Sequence, residues 1–389
     1  MDDIPLEVTL IRNANILAPE ERGSADMLIV GEKIANIGDI GSVPPSVLGH
    51  VETIDLDGDY LAPGFIDGHV HILGGGGEGG PATRTPEITL SGITIAGVTT
   101  VVGVLGTDAT SRGLYALLAK ARGLQYEGLT TLVYTGAYQV PTPTLLGSVR
   151  DDIILFESII GAKTAISDHR SSQPTAEDLR HLASECRLGG MLGGKPGLLH
   201  VHVGAGEDGL SPLFDILDHT DIPASQLYPT HIARTPDLLR QARDLNLAGA
   251  TVDLTAGKRA AGALAFLWDE GADPDRITLS SDANGSLPRF DERGNFLGLG
   301  VGSPKSLMVT VQELVKRGAS LSESIAPITS NAARQLGLAG KKGVLRRGAD
   351  ADLVCLTKND VTIKHVWARG QIVVRDGAPT VLGTFEETE

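Results

Sequence analysis

Cysteine, aromatic side chains and positive charge are all scarce in this 389-residue chain, and each scarcity excludes something. Two cysteines, Cys186 and Cys355, cannot build a disulfide framework or a cysteine-rich zinc site, so a transition metal here would rely on histidine and carboxylate donors. Both read instead as small buried apolar groups. Lys plus Arg number 33 against 48 Asp plus Glu, a net charge of −15, and no basic run is long enough to track phosphates, so nucleic acid is not an expected partner. No apolar run approaches the roughly 20 residues that span a bilayer. The opening Met1-Asp2-Asp3-Ile4 is acidic where a signal peptide needs basic residues and an apolar segment, so the expectation is a soluble, cytoplasmic protein without a membrane partner. Glycine, by contrast, is abundant: 49 residues, about one in eight against an average near 7%. Because the apolar content is an ordinary 41%, that glycine points to tight turns and close backbone approaches in a compact enzyme rather than to disorder.

The length allows two or three domains, or one large α/β barrel with an appendage. Short strands with polar turns are expected at 8–11, 27–30, 33–37 and 51–56. From residue 61 to about 338 the texture changes to short β-branched runs alternating with helical patterns. Eight such runs, at 64–67, 99–104, 131–134, 163–166, 198–202, 227–231, 250–254 and 276–281, fit a (β/α)8 barrel. An open doubly wound sheet is the rival before the chemistry is considered. A helix opens at Thr175, with Thr175 as N-cap and Asp178 as the acidic member of a capping box, and runs to about Cys186. Residues 306–316 and 322–336 give the clearest amphipathic helices. Strands return at 351–356, 361–367 and 371–374. The two β-rich ends are each too small to stand alone, so 1–61 and 339–389 are expected to associate into one small β-sandwich flanking a catalytic barrel of 62–338.

The sharpest local signal is Phe65-Ile66-Asp67-Gly68-His69-Val70-His71. Side chains alternate along a strand, so His69 and His71 point the same way and two imidazoles can meet one metal. A lone His-x-His is more often fortuitous; its value comes from Lys163, His202, His231 and Asp282, each expected at or just beyond the C-terminal end of a barrel strand. In an α/β barrel those ends converge on one mouth, where such folds place their chemistry.

Pro63-Gly64-Phe65-Ile66-Asp67-Gly68-His69-Val70-His71, the ordered His, Lys, His, His, Asp set, Thr329-Ser330-Asn331-Ala332-Ala333-Arg334 and Gly348-Ala349-Asp350-Ala351-Asp352-Leu353 together resemble the amidohydrolase superfamily over nearly the whole chain. Gly74-Gly75-Gly76-Gly77-Glu78, Thr135-Gly136-Ala137-Tyr138, Ile166-Ser167-Asp168-His169-Arg170, Pro229-Thr230-His231-Ile232-Ala233-Arg234 and Ser281-Asp282-Ala283-Asn284-Gly285-Ser286 are similar, more narrowly, to the isoaspartyl dipeptidase family. The resemblance implies two zinc ions. His69 and His71 would hold the more buried ion with Asp282, His202 and His231 the other, and Lys163 would bridge them as a carbamate beside a bridging hydroxide, the nucleophile. A lysine ammonium cannot bind a cation, whereas its neutral amine can take up carbon dioxide, which requires a pKa depressed from about 10.4.

By the same resemblance Asp282 shuttles the proton and Tyr138 donates its hydroxyl to the developing oxyanion. Gly76, Glu78, Thr107, Tyr138, Arg170, Arg234 and Ser286 would bind the substrate. Glu78 suits the free ammonium of an isoaspartyl dipeptide; Arg170, Arg234 and Ser286 suit its carboxylates, with the two arginines not apportioned between them. The implied activity is hydrolysis of the β-aspartyl bond of isoAsp-X dipeptides by a homo-oligomer. Alternatives are another amidohydrolase, such as an N-acyl amino acid deacylase or cyclic amide hydrolase, or a non-enzymatic scaffold on the same fold.

Some features invite other readings. The glycine runs at 74–80 and 193–197 lack the Gly-Lys-Ser/Thr ending of a phosphate loop. His200 shares a strand face with His202 and competes with it as a ligand; the family pattern selects His202. His169 reads as structural or as support for a ligand. His50, His181, His219 and His365 read as surface or satisfied histidines. The stretch 255–262 departs from the family's loop before the Asp282 strand and is shorter, which bears on access and leaving-group preference.

Overall fold

Short runs of Val, Ile, Leu and Thr in the middle of the chain become strands buried on both faces, which is why they read as nearly continuous apolar segments rather than as alternating ones. The computed structural model describes residues 7–41, 50–290 and 296–387; the acidic start Met1-Asp2-Asp3-Ile4 lies outside them. Five strands come first: β1 (Val8–Leu17), β2 (Glu21–Val30), β3 (Lys33–Gly38), β4 (Val51–Asp55) and β5 (Tyr60–Pro63). Eight parallel strands follow, alternating with helices: β6 (Phe65–Val70), β7 (Val98–Gly103), β8 (Thr130–Gly136), β9 (Ile159–Ile166), β10 (Leu198–Val203), β11 (Leu227–Thr230), β12 (Val252–Thr255) and β13 (Ile277–Ser280). A hairpin of β14 (Ser286–Phe290) and β15 (Phe296–Val301) comes next, and β16 (Leu353–Leu356), β17 (Ile363–Ala368), β18 (Gln371–Arg375) and β19 (Ala378–Pro379) end the described chain. Among the described residues no helix is long and apolar enough to cross a membrane.

Strands β6 to β11 hydrogen-bond in sequence order as one six-stranded sheet, and β12 pairs with β13. Side chains and one backbone bond close the two seams between these sheets into a (β/α)8 barrel. At one seam Thr230 Oγ1 donates to Asp253 Oδ2 over 2.6 Å, and Thr278 and Ser280 hydroxyls donate to the same carboxylate at 2.7 and 2.5 Å. At the other, Asp67 accepts from the Ser281 amide at 3.0 Å and from the Ser281 hydroxyl, while the His71 amide donates to the Ala283 carbonyl at 2.9 Å. Burial pushes Asp67 up to about 7 and Asp253 up to about 6, against the hydrogen bonds that favour their ionised forms.

Both chain ends meet as expected: β1 to β5 and β16 to β19 form one nine-stranded sheet, in which β16 runs antiparallel to β5. Ile11, Ile16, Met27, Ile34, Leu61, Leu353 and Trp367 share its apolar core. All eight expected barrel strands occur, with shifted ends. The helix at Thr175 has its capping box and runs on to Gly193, where Gly194 in the left-handed region stops it. Lys195 donates to the carbonyls of Ile153 and Phe156, so the 193–197 glycine run is a helix end and not an anion cradle.

Two expectations are corrected. The single helix at 322–336 is broken into Leu321–Ile325, a 3-10 turn Ala326–Ile328 and Ser330–Gln335. Pro327 has no amide to continue the ladder, and Thr329, at φ −130° and ψ −94°, leaves helical geometry. Lys163 does not sit at a strand end: it lies within Ile159–Ile166, three residues before the end and so about 10 Å deeper in the barrel.

Replacing Asp253 by Ala strands three buried hydroxyls at the β11/β12/β13 seam. At about 1 kcal/mol each, the expected loss is about 3 kcal/mol, read as a lower urea midpoint. An unchanged midpoint would mean that the seam does not depend on this carboxylate.

Candidate functional site

Histidine and lysine side chains that the sequence spreads over 160 residues meet toward the C-terminal mouth of the barrel, the histidines from at or just beyond strand ends and Lys163 from within its strand. His69 and His71 bracket the end of β6, with ring centroids 5.4 Å apart, and His69 lies 5.2 Å from His231, which lies 4.5 Å from His202. Lys163 rises from within β9 until Nζ is 3.2 Å from His69 Nδ1. His231 and Asp282 directly follow or nearly follow strands β11 and β13 and adopt φ of 65° and 53°, a left-handed conformation that turns both side chains inward. Holding a residue other than glycine there costs roughly 1 kcal/mol or more, which the surrounding structure must supply.

Ligand atoms of His69, His231 and Asp282 lie within 4.8 Å of one another. Asp282 Oδ1 approaches His71 Nε2 to 3.1 Å and His69 Nε2 to 3.5 Å. Neither approach has hydrogen-bond alignment: Asp282 Oδ1 and His71 Nδ1 are buried without a hydrogen-bond partner among the described residues. Unsatisfied buried acceptors beside converging imidazoles are what a divalent cation requires, so this donor set fits a metal centre.

Electrostatics agree with that chemistry. Burial pushes Lys163 down to about 7 despite the carboxylates of Asp282 and Asp253, which makes the neutral amine accessible. Burial also holds His69 and His231 well below the ordinary histidine range and brings His202 to about 3, leaving their nitrogens as lone-pair donors. Burial raises Asp282 and Asp168 alike, but the contacts of Asp282 with His71, and the bonds of Asp168 with Arg170 and His202, win and keep both carboxyls below the usual carboxylate range. Burial pushes the Tyr138 hydroxyl well above its usual range, so it stays a proton donor.

Above this cluster opens a cavity of about 430 Å³. Its lining brings together Gly76, Glu78, Thr107, Tyr138, Arg170, Arg234 and Ser286 with His71, His202 and Asp282. Glu78 Oε1 accepts from Thr107 Oγ1 at 3.0 Å and lies 3.4 Å from Arg170 Nη1. Gly76 is required: its φ is 74°, and a Cβ there would meet the Thr83 carbonyl oxygen at 2.4 Å and Ser286 Cβ at 3.2 Å. His69, Lys163 and His231 lie beneath this lining, in the ligand cluster.

Several functional neighbours were not singled out from the sequence. Asp168 accepts from His202 Nε2 at 2.8 Å and is itself gripped by Arg170 through Nε at 2.9 Å and Nη2 at 2.7 Å. Arg112, buried at the cavity wall, donates to the carbonyls of Gly75 and Thr85 at 2.6 and 2.7 Å and so pins the glycine loop. Asp168 stood in a quoted motif; nothing around Arg112 marked it. His169 differs from expectation: its side chain is 90% exposed at the cavity rim, so it is not a packed support. His200 has both ring nitrogens engaged, on Tyr228 O and His69 Nδ1, whereas His202 faces the cavity. The 255–262 stretch runs from the last residue of β12 through Ala256-Gly257 into the helix Lys258–Asp269; Thr255 Oγ1 meets His231 Nδ1 at 2.5 Å, and none of its described side chains lines the cavity. Cys186 and Cys355 are buried free thiols, each pushed up to about 12 by burial and so unreactive.

Residues 227–373 match the amidohydrolase family. Among solved structures, beta-aspartyl dipeptidase from thermophilic keratin-degrading Fervidobacterium islandicum AW-1, in complex with beta-Asp-Leu dipeptide, superposes with a TM-score of 0.90 at 42% identity, covering 97% of this chain and 100% of that one. D-Hydantoinase (dihydropyrimidinase) from Thermus sp. shares the fold, with a TM-score of 0.66 at 20% identity, covering 97% and 98%. A curated relative, dihydroorotase of Staphylococcus aureus (strain Mu50 / ATCC 700699), is 27% identical over 262 residues, 62% of this chain; the match spans 58% of that relative's length.

Lys163 titrates near 10.5 when exposed and about 7 in the fold, so between those values the unfolded chain binds the extra proton and the stability of metal-free protein rises with pH. Lys163→Met lacks this contribution. Its stability relative to the parent is therefore expected to fall steadily from pH 7 to pH 10, read from urea midpoints in carbonate-free buffer. A pH-independent difference would show that Lys163 is not held neutral.

Proposed function

The chain belongs to the beta-aspartyl dipeptidase family of amidohydrolases, and from that membership we propose that it hydrolyses the β-aspartyl bond of isoAsp-X dipeptides at the barrel mouth. What carries the reading is one cavity in which an acid, two arginines and a buried tyrosine stand over the imidazole and carboxylate cluster. An isoaspartyl dipeptide has a free α-ammonium, a free α-carboxylate beside the scissile bond and a second carboxylate at its C-terminus, so it needs one anionic and two cationic or hydrogen-bonding contacts. Glu78 receives the ammonium. Arg170 has Nε and Nη2 engaged by Asp168, which supports assigning the bidentate carboxylate grip to Arg234 and a single bond to Arg170 Nη1. Ser286 and the close backbone of Gly76 complete the α-carboxylate end, and Thr107 orients Glu78.

In this reading His69, His71, His202, His231, Asp282 and the carbamate of Lys163 would hold two zinc ions. When bound they supply carbonyl polarisation and a lowered water pKa. Lys163 reaches the carbamate by adding its neutral nitrogen to carbon dioxide and losing one proton, which turns a neutral amine into an anion; starting from the ammonium, two protons are released in all. Asp282 takes the proton released as the nucleophile attacks and passes it to the departing amine. Tyr138 turns its hydroxyl from His202 Nδ1, 2.5 Å away, to the carbonyl oxygen and donates to the charge that grows there. The homo-oligomeric state implied by the resemblance and the cytoplasmic residence expected from the acidic start of the sequence belong to the same proposal.

Release of aspartate from isoAsp-Leu is expected to exceed that from α-Asp-Leu and from N-acetyl-Asp, in protein whose zinc is assayed in the same preparation. Preference for N-acetyl-Asp would overturn the role of Glu78 and favour a deacylase. Asp282→Ala is expected to abolish turnover. Tyr138→Phe should lower kcat by about 10²- to 10³-fold with little change in KM, the usual cost of one oxyanion donor. Glu78→Gln should lower kcat/KM by about 30-fold or more, from the roughly 2 kcal/mol or more lost when a buried charge pair loses one partner.

A further inference from the structure

His200 is fully buried on β10, two residues before His202, and is held by three aromatic neighbours. Its ring stacks on Tyr134 at 4.8 Å and 20° and packs against Tyr228 at 4.8 Å and against His69 at 5.0 Å, so the imidazole cannot flip without displacing them. Both nitrogens are engaged. Nδ1 lies 2.9 Å from the Tyr228 carbonyl oxygen, and Nε2 lies 2.9 Å from His69 Nδ1.

The hydrogens follow from the end of this chain. A backbone carbonyl only accepts, so His200 Nδ1 carries a hydrogen. His200 has no carboxylate within salt-bridge distance among the described residues, and a second ring hydrogen would make it a buried cation beside Lys163; the neutral ring therefore presents a lone pair at Nε2. His69 Nδ1 faces that lone pair at 2.9 Å and Lys163 Nζ at 3.2 Å, and a hydrogen on Nδ1 is what lets it bond to His200 rather than oppose it. A neutral His69 with a hydrogen on Nδ1 has its lone pair on Nε2, the nitrogen 3.5 Å from Asp282 Oδ1.

We propose that His200 is a positioning residue: it relays the Tyr228 carbonyl to His69 and fixes the His69 tautomer whose Nε2 lone pair is directed into the ligand cluster. The inference rests on the metal-centre reading for its purpose, but the tautomer itself does not. A wrong His69 tautomer would aim a hydrogen at the cation, so ligation would first require moving that proton.

The test has two readouts. In metal-free protein, long-range proton–nitrogen correlation of the histidine rings should show His69 protonated at Nδ1, and this should be lost in His200→Phe, which keeps the stacked ring and removes the acceptor. Zinc affinity, measured by chelator competition, should fall about 10- to 100-fold in His200→Phe, as expected for the loss of a partner that orients a ligand. His200→Gln, whose side-chain oxygen can accept from His69, should recover most of it. The relay is overturned if His69 is protonated at Nε2 in the parent, or if His200→Phe binds zinc as tightly as the parent. It is also overturned if the Gln and Phe variants lose affinity equally, which would make His200 itself a ligand. If the Phe variant does not fold, His200→Met against His200→Gln asks the same question. A parent that binds no zinc would end the metal-centre reading, while the tautomer would still decide the relay.

Discussion

Everything at the mouth of this barrel depends on keeping a lysine and several imidazoles in one dehydrated cluster, where burial outweighs the carboxylates beside it. Burial drives Lys163 toward its neutral amine and the site histidines toward neutral rings. Neutral rings are ambiguous, because either nitrogen can carry the hydrogen, and a metal centre cannot tolerate that ambiguity. The surroundings remove it: Asp168 fixes the hydrogen of His202 on Nε2, Thr255 meets His231 Nδ1, and the Tyr228 carbonyl lies two hydrogen bonds from His69. These partners come from four different strands or the turns just after them, so orientation of the cluster is a property of the closed barrel.

Closure and chemistry therefore share residues. Asp67 and Asp253 seal the seams where the backbone ladder is interrupted, and they lie directly below the cluster. Asp67 is two residues from His69 and ties it to the Ser281-Asp282 turn; Asp253 adds negative charge that opposes the loss of the Lys163 proton. A barrel sealed by apolar contacts alone would close as well, but it would leave the cluster without this counter-charge.

The cavity above the cluster is walled by loops pinned to the same frame. Arg112 holds the glycine loop through two carbonyls, and Thr85 ties Gly75 to the Asn284 carbonyl beside Asp282. Arg170 faces two ways: its Nε and Nη2 steady Asp168 behind His202, while Nη1 approaches Glu78. A substitution at Arg170 thus acts on Asp168 and His202 as well as on Glu78 across the cavity.

The local signals in the chain were strong where chemistry and strand direction coincide. His69-Val70-His71, the eight β-branched runs and the capping box at Thr175 announce themselves because alternation and capping are nearest-neighbour rules. The break at Pro327 was legible in principle but was masked by an otherwise amphipathic pattern. Lys163 was harder: periodicity locates a strand but not its ends, and only the register of β9 against β10 sets how deep the side chain starts. The partners of Arg112, Asp168 and His200 carry no local mark, since they lie between 27 and 131 residues away except within the Asp168-His169-Arg170 turn itself. By itself the sequence determined the fold class and the order along the chain of the candidate ligand residues. Only the tertiary structure decided which partner each ring nitrogen of His200 and His202 meets, which edge of Arg170 Asp168 occupies and how the barrel closes, because a hydrogen bond depends on distance and angle between atoms that the chain brings together only on folding.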